Sequence, residues 1–205
     1  DGSEPVESVL EYALQIASEH EATIHVLNVV DTSQDSPPRV QEGVSDALEQ
    51  DGTEIVNEAA QRATEYGIDV VSEGLHGDPY EAIVEYSTQS GIELIAMPTH
   101  GRRGLQRFLL GSVTERVINT ADVPVIAVNP GTQPLTYPCQ ELLVPTDGSR
   151  GSELAVSEGV ALANATGATL HLLHVVETGS LGPDVRSLVK DEELTTRADE
   201  IIADA

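Results

Sequence analysis

The chain holds one cysteine, one lysine, one methionine, one phenylalanine and no tryptophan. With Cys139 alone, no disulfide can close within one chain, and no cysteine neighbour completes a metal site. That fits a reducing compartment. No apolar run approaches the roughly 18–20 residues of a membrane-spanning helix. The first residues, Asp1-Gly2-Ser3-Glu4, offer neither the basic start nor the apolar core of a secretory signal. The expectation is a soluble, cytoplasmic protein. Positive charge is scarce too: 10 basic residues stand against 35 acidic ones, for a net charge of −25. Nine of the ten are arginines, and the lysine is Lys190. A surface this acidic repels phosphates, which excludes nucleic acid or an anionic membrane as a partner for the surface at large. It suits concentrated salt, where screening shortens like-charge repulsion to about 3 Å at 1 M. The composition therefore reads as halophilic. The Walker A pattern Gly-x4-Gly-Lys-[Ser/Thr] is absent.

What is present is enough apolar material for a core, 40% of 205 residues. That length accommodates one large or two small domains. Self-similarity decides between them. Laying Asp1-Gly2-Ser3 over Asp147-Gly148-Ser149 sets an offset of 146 residues. Without gaps, Glu7 meets Glu153, Ala17 meets Ala163 and Ala22-Thr23 meets Ala168-Thr169. His25 meets His171, Leu27 meets Leu173 and Val29-Val30 meets Val175-Val176. The chain thus contains a tandem repeat. Its first domain spans residues 1–129, a Pro- and Gly-bearing linker spans 130–140, and the start of a second domain spans 141–205.

Periodicity supplies the elements. Val6, Val9, Leu10, Ala13, Leu14 and Ala17 keep helical spacing, with Ser3 as N-cap and Pro5 in the first turn. Thr23–Val30 reads as a strand, 31–39 as a loop, and about 40–66 as a helix interrupted at Gly52. Asp69–Ser72 reads as a short strand, and Asp78-Pro79 opens a helix to about Gln89. Ile92–Met97 is a buried strand, Ser112–Thr120 a helix, Pro124–Val128 a strand and Leu142–Pro145 another. Short apolar strands alternating with helices imply a parallel sheet with helices on both faces. An apolar strand precedes Asp147, whereas none precedes Asp1, and the second copy stops part-way. The expectation is a fragment. The other reading is that residues 142–146 complete the first copy's sheet, in cis or by exchange between chains.

The segment after Met97 carries the candidate chemistry: Pro98-Thr99-His100-Gly101-Arg102-Arg103-Gly104, then Gly111-Ser112-Val113-Thr114-Glu115-Arg116. A glycine-bearing loop at the carboxyl end of a parallel strand, followed by a helix start, is where open sheets bind ligands. Helix N-terminal N–H groups attract phosphate oxygens. Arg102, Arg103, Arg107 and Arg116 fall within fifteen positions, with Glu115 the sole acid among them. That local reversal of charge suits an anion. Plainer readings stand beside this one. Ser112 with Glu115 matches a capping box. The glycines also suit ordinary turns, the arginines also suit pairing with the acidic surface, and His100 also suits a solvated loop.

These residues resemble the universal stress protein family. Asp1 and Asp147 match its strand-end aspartate. Asn28-Val29-Val30-Asp31 and His174-Val175-Val176-Glu177 match its second-strand motif. Gly101, nine residues and Gly111-Ser112 match the later part of its loop motif Gly-x2-Gly-x9-Gly-[Ser/Thr]. The resemblance covers nearly the whole chain as two copies. It implies a doubly wound, five-stranded parallel α/β sheet in each unit, Rossmann-like and similar to the adenine nucleotide alpha hydrolases. It implies ATP, with or without Mg2+, at the strand ends. Asp1 and the backbone of Val29 would lie at adenine and ribose, and Met97, Thr99 and His100 at the start of the loop. Gly101, Gly111, Ser112, Val113 and Thr114 would hold phosphates, with Arg102 and Arg103 adding charge. One departure is that Pro98 replaces the motif's first glycine, which removes an N–H and fixes φ near −65°.

Three function classes follow. The first is an ATP-binding stress or regulatory protein with at most slow hydrolysis, because the loop has no carboxylate or lysine placed as base or clamp. Its partners would be the nucleotide and a second copy, as a homodimer or a pseudo-dimer of the two repeats. The second is a ligand-free interaction module acting through dimerisation, towards which Pro98 and the exposed strand Val123–Val128 lean. The third is an adenylyl transferase or ATP pyrophosphatase. It is disfavoured because Asp147-Gly148-Ser149-Arg150 is not a Ser-Gly-Gly phosphate loop.

Overall fold

The computed structural model describes residues 4–32, 42–99, 110–129, 135–176, 199–200 and 202–203. Two compact units divide the chain, Asp1–Tyr137 and Pro138–Ala205.

The first unit runs α1 Glu4–His20, β1 Ile24–Asp31, α2 Glu42–Glu65, β2 Val70–Gly77, α3 Pro79–Gln89, β3 Ile95–Pro98, α4 Ser112–Thr120 and β4 Val125–Val128. The apolar stripe of α1 turns inward as its spacing requires: Val9, Leu14 and Ala17 are buried. Leu14 and Ala17 meet Ala63 of α2 and Ile68, with Leu10, Ile24 and Val70 packed around them. Arg62 of α2 donates to Glu11 of α1 at 2.6 Å and so pins the two helices at their exposed rim. α2 is continuous through Gly52, contrary to the interruption expected there. A glycine inside a helix costs about 1 kcal/mol, which the packing of a 24-residue helix on β1 and β2 outweighs.

β2 is also longer than the sequence suggests, reaching Gly77 rather than Ser72. Ser72, Glu73 and Gly74 look like a strand end. Here they are the exposed positions of a strand that, among the described residues, is paired on one side, where polar residues are tolerated. All pairing among the described strands is parallel, as expected, in two-stranded ladders: β1 with β2 and β3 with β4. α1 lies against β1, β3 and β4 alike. Among the described residues, one flank of β1 and one flank of β3 therefore lie under the same helix without a ladder partner. β1 is correspondingly half-buried along most of its length. Residues 135–137 belong to this unit rather than to a free linker. The Tyr137 N–H donates to Gln15 at 2.9 Å, and its ring stands edge-on to Tyr12 at 6.2 Å.

The second unit begins with β5 Glu141–Pro145, α5 Arg150–Thr166 and β6 Thr169–Leu173. β5 and β6 pair in parallel, Glu141 opposite Thr169 through Pro145 opposite Leu173. α5 buries Val156 and Gly159, the latter close against Val144. Gly167 ends the helix in the left-handed conformation, φ 74°, that glycine adopts without strain.

Candidate functional site

Two carboxyl-end strand corners carry the predicted residues. In the first unit, β3 ends at Pro98 and the chain rejoins regular structure at α4. Backbone bonds fix both ends of the intervening segment. The Thr99 N–H donates to the Val128 carbonyl at 2.9 Å, and the Gly111 N–H donates to the Thr99 carbonyl at 2.6 Å. The Thr114 hydroxyl donates to the Pro98 carbonyl at 2.8 Å. The end of β3 and the start of α4 are thereby adjacent.

Gly111 is the N-cap of α4, with φ −66° and ψ 149°, and has no side chain to offer the helix. Ser112 is the first helical residue rather than a cap, so the capping box expected with Glu115 does not form. The cause is a helix that starts one residue earlier than that motif needs, with Gly111 as its cap: the Glu115 N–H bonds the Gly111 carbonyl at 2.9 Å. The N–H groups of Ser112, Val113 and Thr114 lie in the first turn, where no helical carbonyl precedes them. First-turn N–H groups, together with the helix dipole, make a helix start electropositive. Ser112 is exposed, Val113 half-buried and Thr114 buried at 4% exposure.

The structure thus brings Met97, Thr99, Gly111, Ser112, Val113 and Thr114 to one corner. Met97 sits in β3 opposite Ala127 and is half-buried. Val29 lies in β1 opposite Leu75, two residues before that strand ends. Asp1, His100, Gly101, Arg102 and Arg103 lie outside the described residues. Two expected roles change. The Gly111 N–H and the Thr114 hydroxyl, both expected at the phosphates, are bonded within the protein instead. Arg116, one of the clustered arginines, pairs with Asp78 at 3.5 Å and lies 5.0 Å over the Tyr80 ring. Asp78 also caps α3 by accepting from the Tyr80 N–H at 3.2 Å. Arg116 therefore ties α4 to α3, as the plainer reading of the arginines allowed. The carbonyl of Pro98 is the functional group sequence reasoning missed. No side-chain pattern announces a backbone acceptor sixteen residues before its donor.

The second unit presents a different corner, at the end of β5, where Asp147 is the repeat's counterpart of Asp1. Asp147 accepts from the Ser149 N–H at 2.9 Å. Ser149 caps α5 by accepting from the Ser152 N–H at 3.3 Å. The Ser149 hydroxyl and amide, followed by the Ser152 hydroxyl, hold the Asp147 carboxyl down to about 2 from an ordinary 3.8. Asp147 is thus a fixed anion and acceptor at the strand end. His174 donates from Nδ1 to the carbonyl of buried Thr146 at 2.7 Å, which anchors the neighbouring chain segment. Val175 is 70% exposed. Among the described residues, no cluster of His, Cys, Asp or Glu fits a metal ion. No described helix is long and apolar enough to cross a membrane.

Comparison with known proteins agrees with this fold. The sequence matches the universal stress protein family over residues 1–129 and again over 139–205. It is 38% identical over 135 residues to universal stress protein MJ0531 of Methanocaldococcus jannaschii, covering 62% of this chain and 77% of that one. Universal stress protein Rv2005c of Mycobacterium tuberculosis is 32% identical over 157 residues, 72% of this chain and 52% of its own length. Among solved structures, a universal stress protein from Archaeoglobus fulgidus superimposes with a TM-score of 0.66 at 26% identity. The match covers 96% of this chain and 72% of that one. With parallel strands, flanking helices and two successive family matches, the chain belongs to the universal stress protein family as a tandem member.

Proposed function

We propose that the first unit binds an adenine nucleotide, ATP, at the carboxyl ends of its strands, and that the protein acts as a nucleotide-dependent stress or regulatory protein. The observation that carries this reading is the corner at Thr99 and Gly111. Their 2.6 Å backbone bond sets the N-terminus of α4 beside the end of β3. Phosphates would take the N–H groups of Ser112, Val113 and Thr114 and the Ser112 hydroxyl. Gly101 would join them at the phosphates, with Arg102 and Arg103 adding charge. Asp1 and the backbone of Val29 would lie at adenine and ribose, and Met97, Thr99 and His100 at the start of the loop. Mg2+ would accompany the phosphates rather than sit in a protein cage. Hydrolysis would be slow at most, since the loop sequence brings no carboxylate or lysine as base or clamp. We place the protein in the cytoplasm of a high-salt cell, as a homodimer or a pseudo-dimer of its repeats.

Gly111 supplies the test. Its backbone, φ −66° and ψ 149°, is open to any residue, so backbone conformation alone does not demand glycine there. Gly111→Val with Ser112→Ala should lower the unfolding midpoint only slightly, because valine is a poorer helix cap than glycine, but block the approach of phosphate. Each lost hydrogen bond to a charged oxygen is worth about tenfold or more in affinity. Calorimetric titration with ATP in molar KCl should show binding by the parent and loss of at least about a hundredfold in the variant. Equal affinity in both would remove this corner from the site. A parent that binds no ATP would favour the second reading, a ligand-free module that dimerises. Pro98, which brings no N–H to the loop, supports that alternative.

A further inference from the structure

The bond from Thr114 to Pro98 has no place in the nucleotide reading as the sequence framed it. Thr114 is buried, and its hydroxyl reaches back to the carbonyl of the last residue of β3. Beside it, the next carbonyl along the chain, that of Thr99, accepts from the Gly111 N–H. Two successive carbonyls at the strand end thus accept from the cap and the first turn of α4. A third bond, from the Thr99 N–H to the Val128 carbonyl, holds the same peptide to β4. The result is a clasp. It fixes where the chain leaves the strand and where it joins the helix, with all its bonds inside the protein.

We propose that Thr114 is a positioning residue for the anion site: its hydroxyl, through the Pro98 carbonyl, holds the α4 N-terminus at the distance from β3 at which the Ser112 and Val113 N–H groups receive a phosphate. This rests on the nucleotide reading above. The clasp also explains how proline is accommodated at 98. Proline lacks only the donor, and the clasp uses the acceptor. A residue with an N–H at 98 would leave the clasp unchanged, whereas loss of the 114 hydroxyl would open it. Threonine suits the task because its branched side chain has few rotamers in a helix and its hydroxyl commonly turns to a nearby carbonyl.

The experiment compares Thr114→Val with Thr114→Ser in otherwise full-length protein. Valine keeps the shape and removes the donor; serine keeps the donor. ATP affinity should fall about tenfold in Thr114→Val, the worth of one hydrogen bond, and return towards the parent value in Thr114→Ser. Adenosine has no phosphate, so its affinity should be the same in all three proteins. Amide exchange at Gly111, read by NMR without ligand, should be slow in the parent and the serine variant and faster in the valine variant. ATP and adenosine weakening together would mean general destabilisation and overturn the proposal. Unchanged ATP affinity in Thr114→Val would overturn it equally. A parent that binds neither ligand would sink the nucleotide reading and the positioning role with it, while Gly111 exchange would still report on the clasp alone.

Discussion

Gly52 and Gly159 lie inside long helices, and the same substitution has opposite expected outcomes at the two sites. Replacing a helical glycine with alanine gains about 1 kcal/mol of helix propensity. At Gly159 the new methyl carbon would stand 2.6 Å from Cγ2 of Val144, which is 6% exposed. Valine is stiff at χ1 and, buried here, has little room to turn. Overpacking of this kind costs about 1–3 kcal/mol, so the clash outweighs the propensity gain. At Gly52 the nearest atom is Oδ1 of Asn28, the far end of a side chain that can swing aside. We predict that Gly159→Ala unfolds at lower urea than the parent, by about 1 kcal/mol, and that Gly52→Ala unfolds at equal or higher urea. Equilibrium urea curves of the two single variants decide it; a more stable Gly159→Ala would contradict the packing argument. The sequence could announce neither outcome. A glycine in a periodic helix reads as a break, and only the neighbour across the interface shows what it accommodates.

At the scale of elements, much was legible, because periodicity and turn chemistry are local. Asp78-Pro79 opens α3 where that pair must, since aspartate accepts from the helix start and proline tolerates the first turn. The end of β2 and the cap of α4 were not legible, because each is settled by a partner distant in sequence. The repeat adds what local reading cannot. β6 corresponds in sequence to β1, and β5 pairs with β6. By the same offset of 146 residues, a strand equivalent to β5 would pair with Thr23–Leu27 of the first unit. That is the flank of β1 lacking a ladder partner among the described residues, and α1 covers it together with β3.

For the whole molecule, charge sets the conditions under which the corner at Thr99 and Gly111 can work. A net charge of −25 on 205 residues works against any compact state, because folding brings like charges closer together. The few described ion pairs, such as Arg62 with Glu11 and Arg116 with Asp78, lie at partly exposed positions where each is worth about 1 kcal/mol at most. They cannot offset repulsion spread over the surface. Salt can, since the screening length shrinks from about 10 Å at 0.1 M to about 3 Å at 1 M. The thermal midpoint should therefore climb steeply with KCl between 0.1 and about 1 M and then level off as the screening length falls below the spacing of surface charges. Sucrose at matched osmolality separates the causes, because it strengthens burial without screening charge. A rise with KCl much larger than with sucrose marks repulsion as the term being relieved. Equal rises, or a midpoint indifferent to KCl, would show that the acidic surface imposes no such cost and would remove the basis for reading this composition as one adapted to salt.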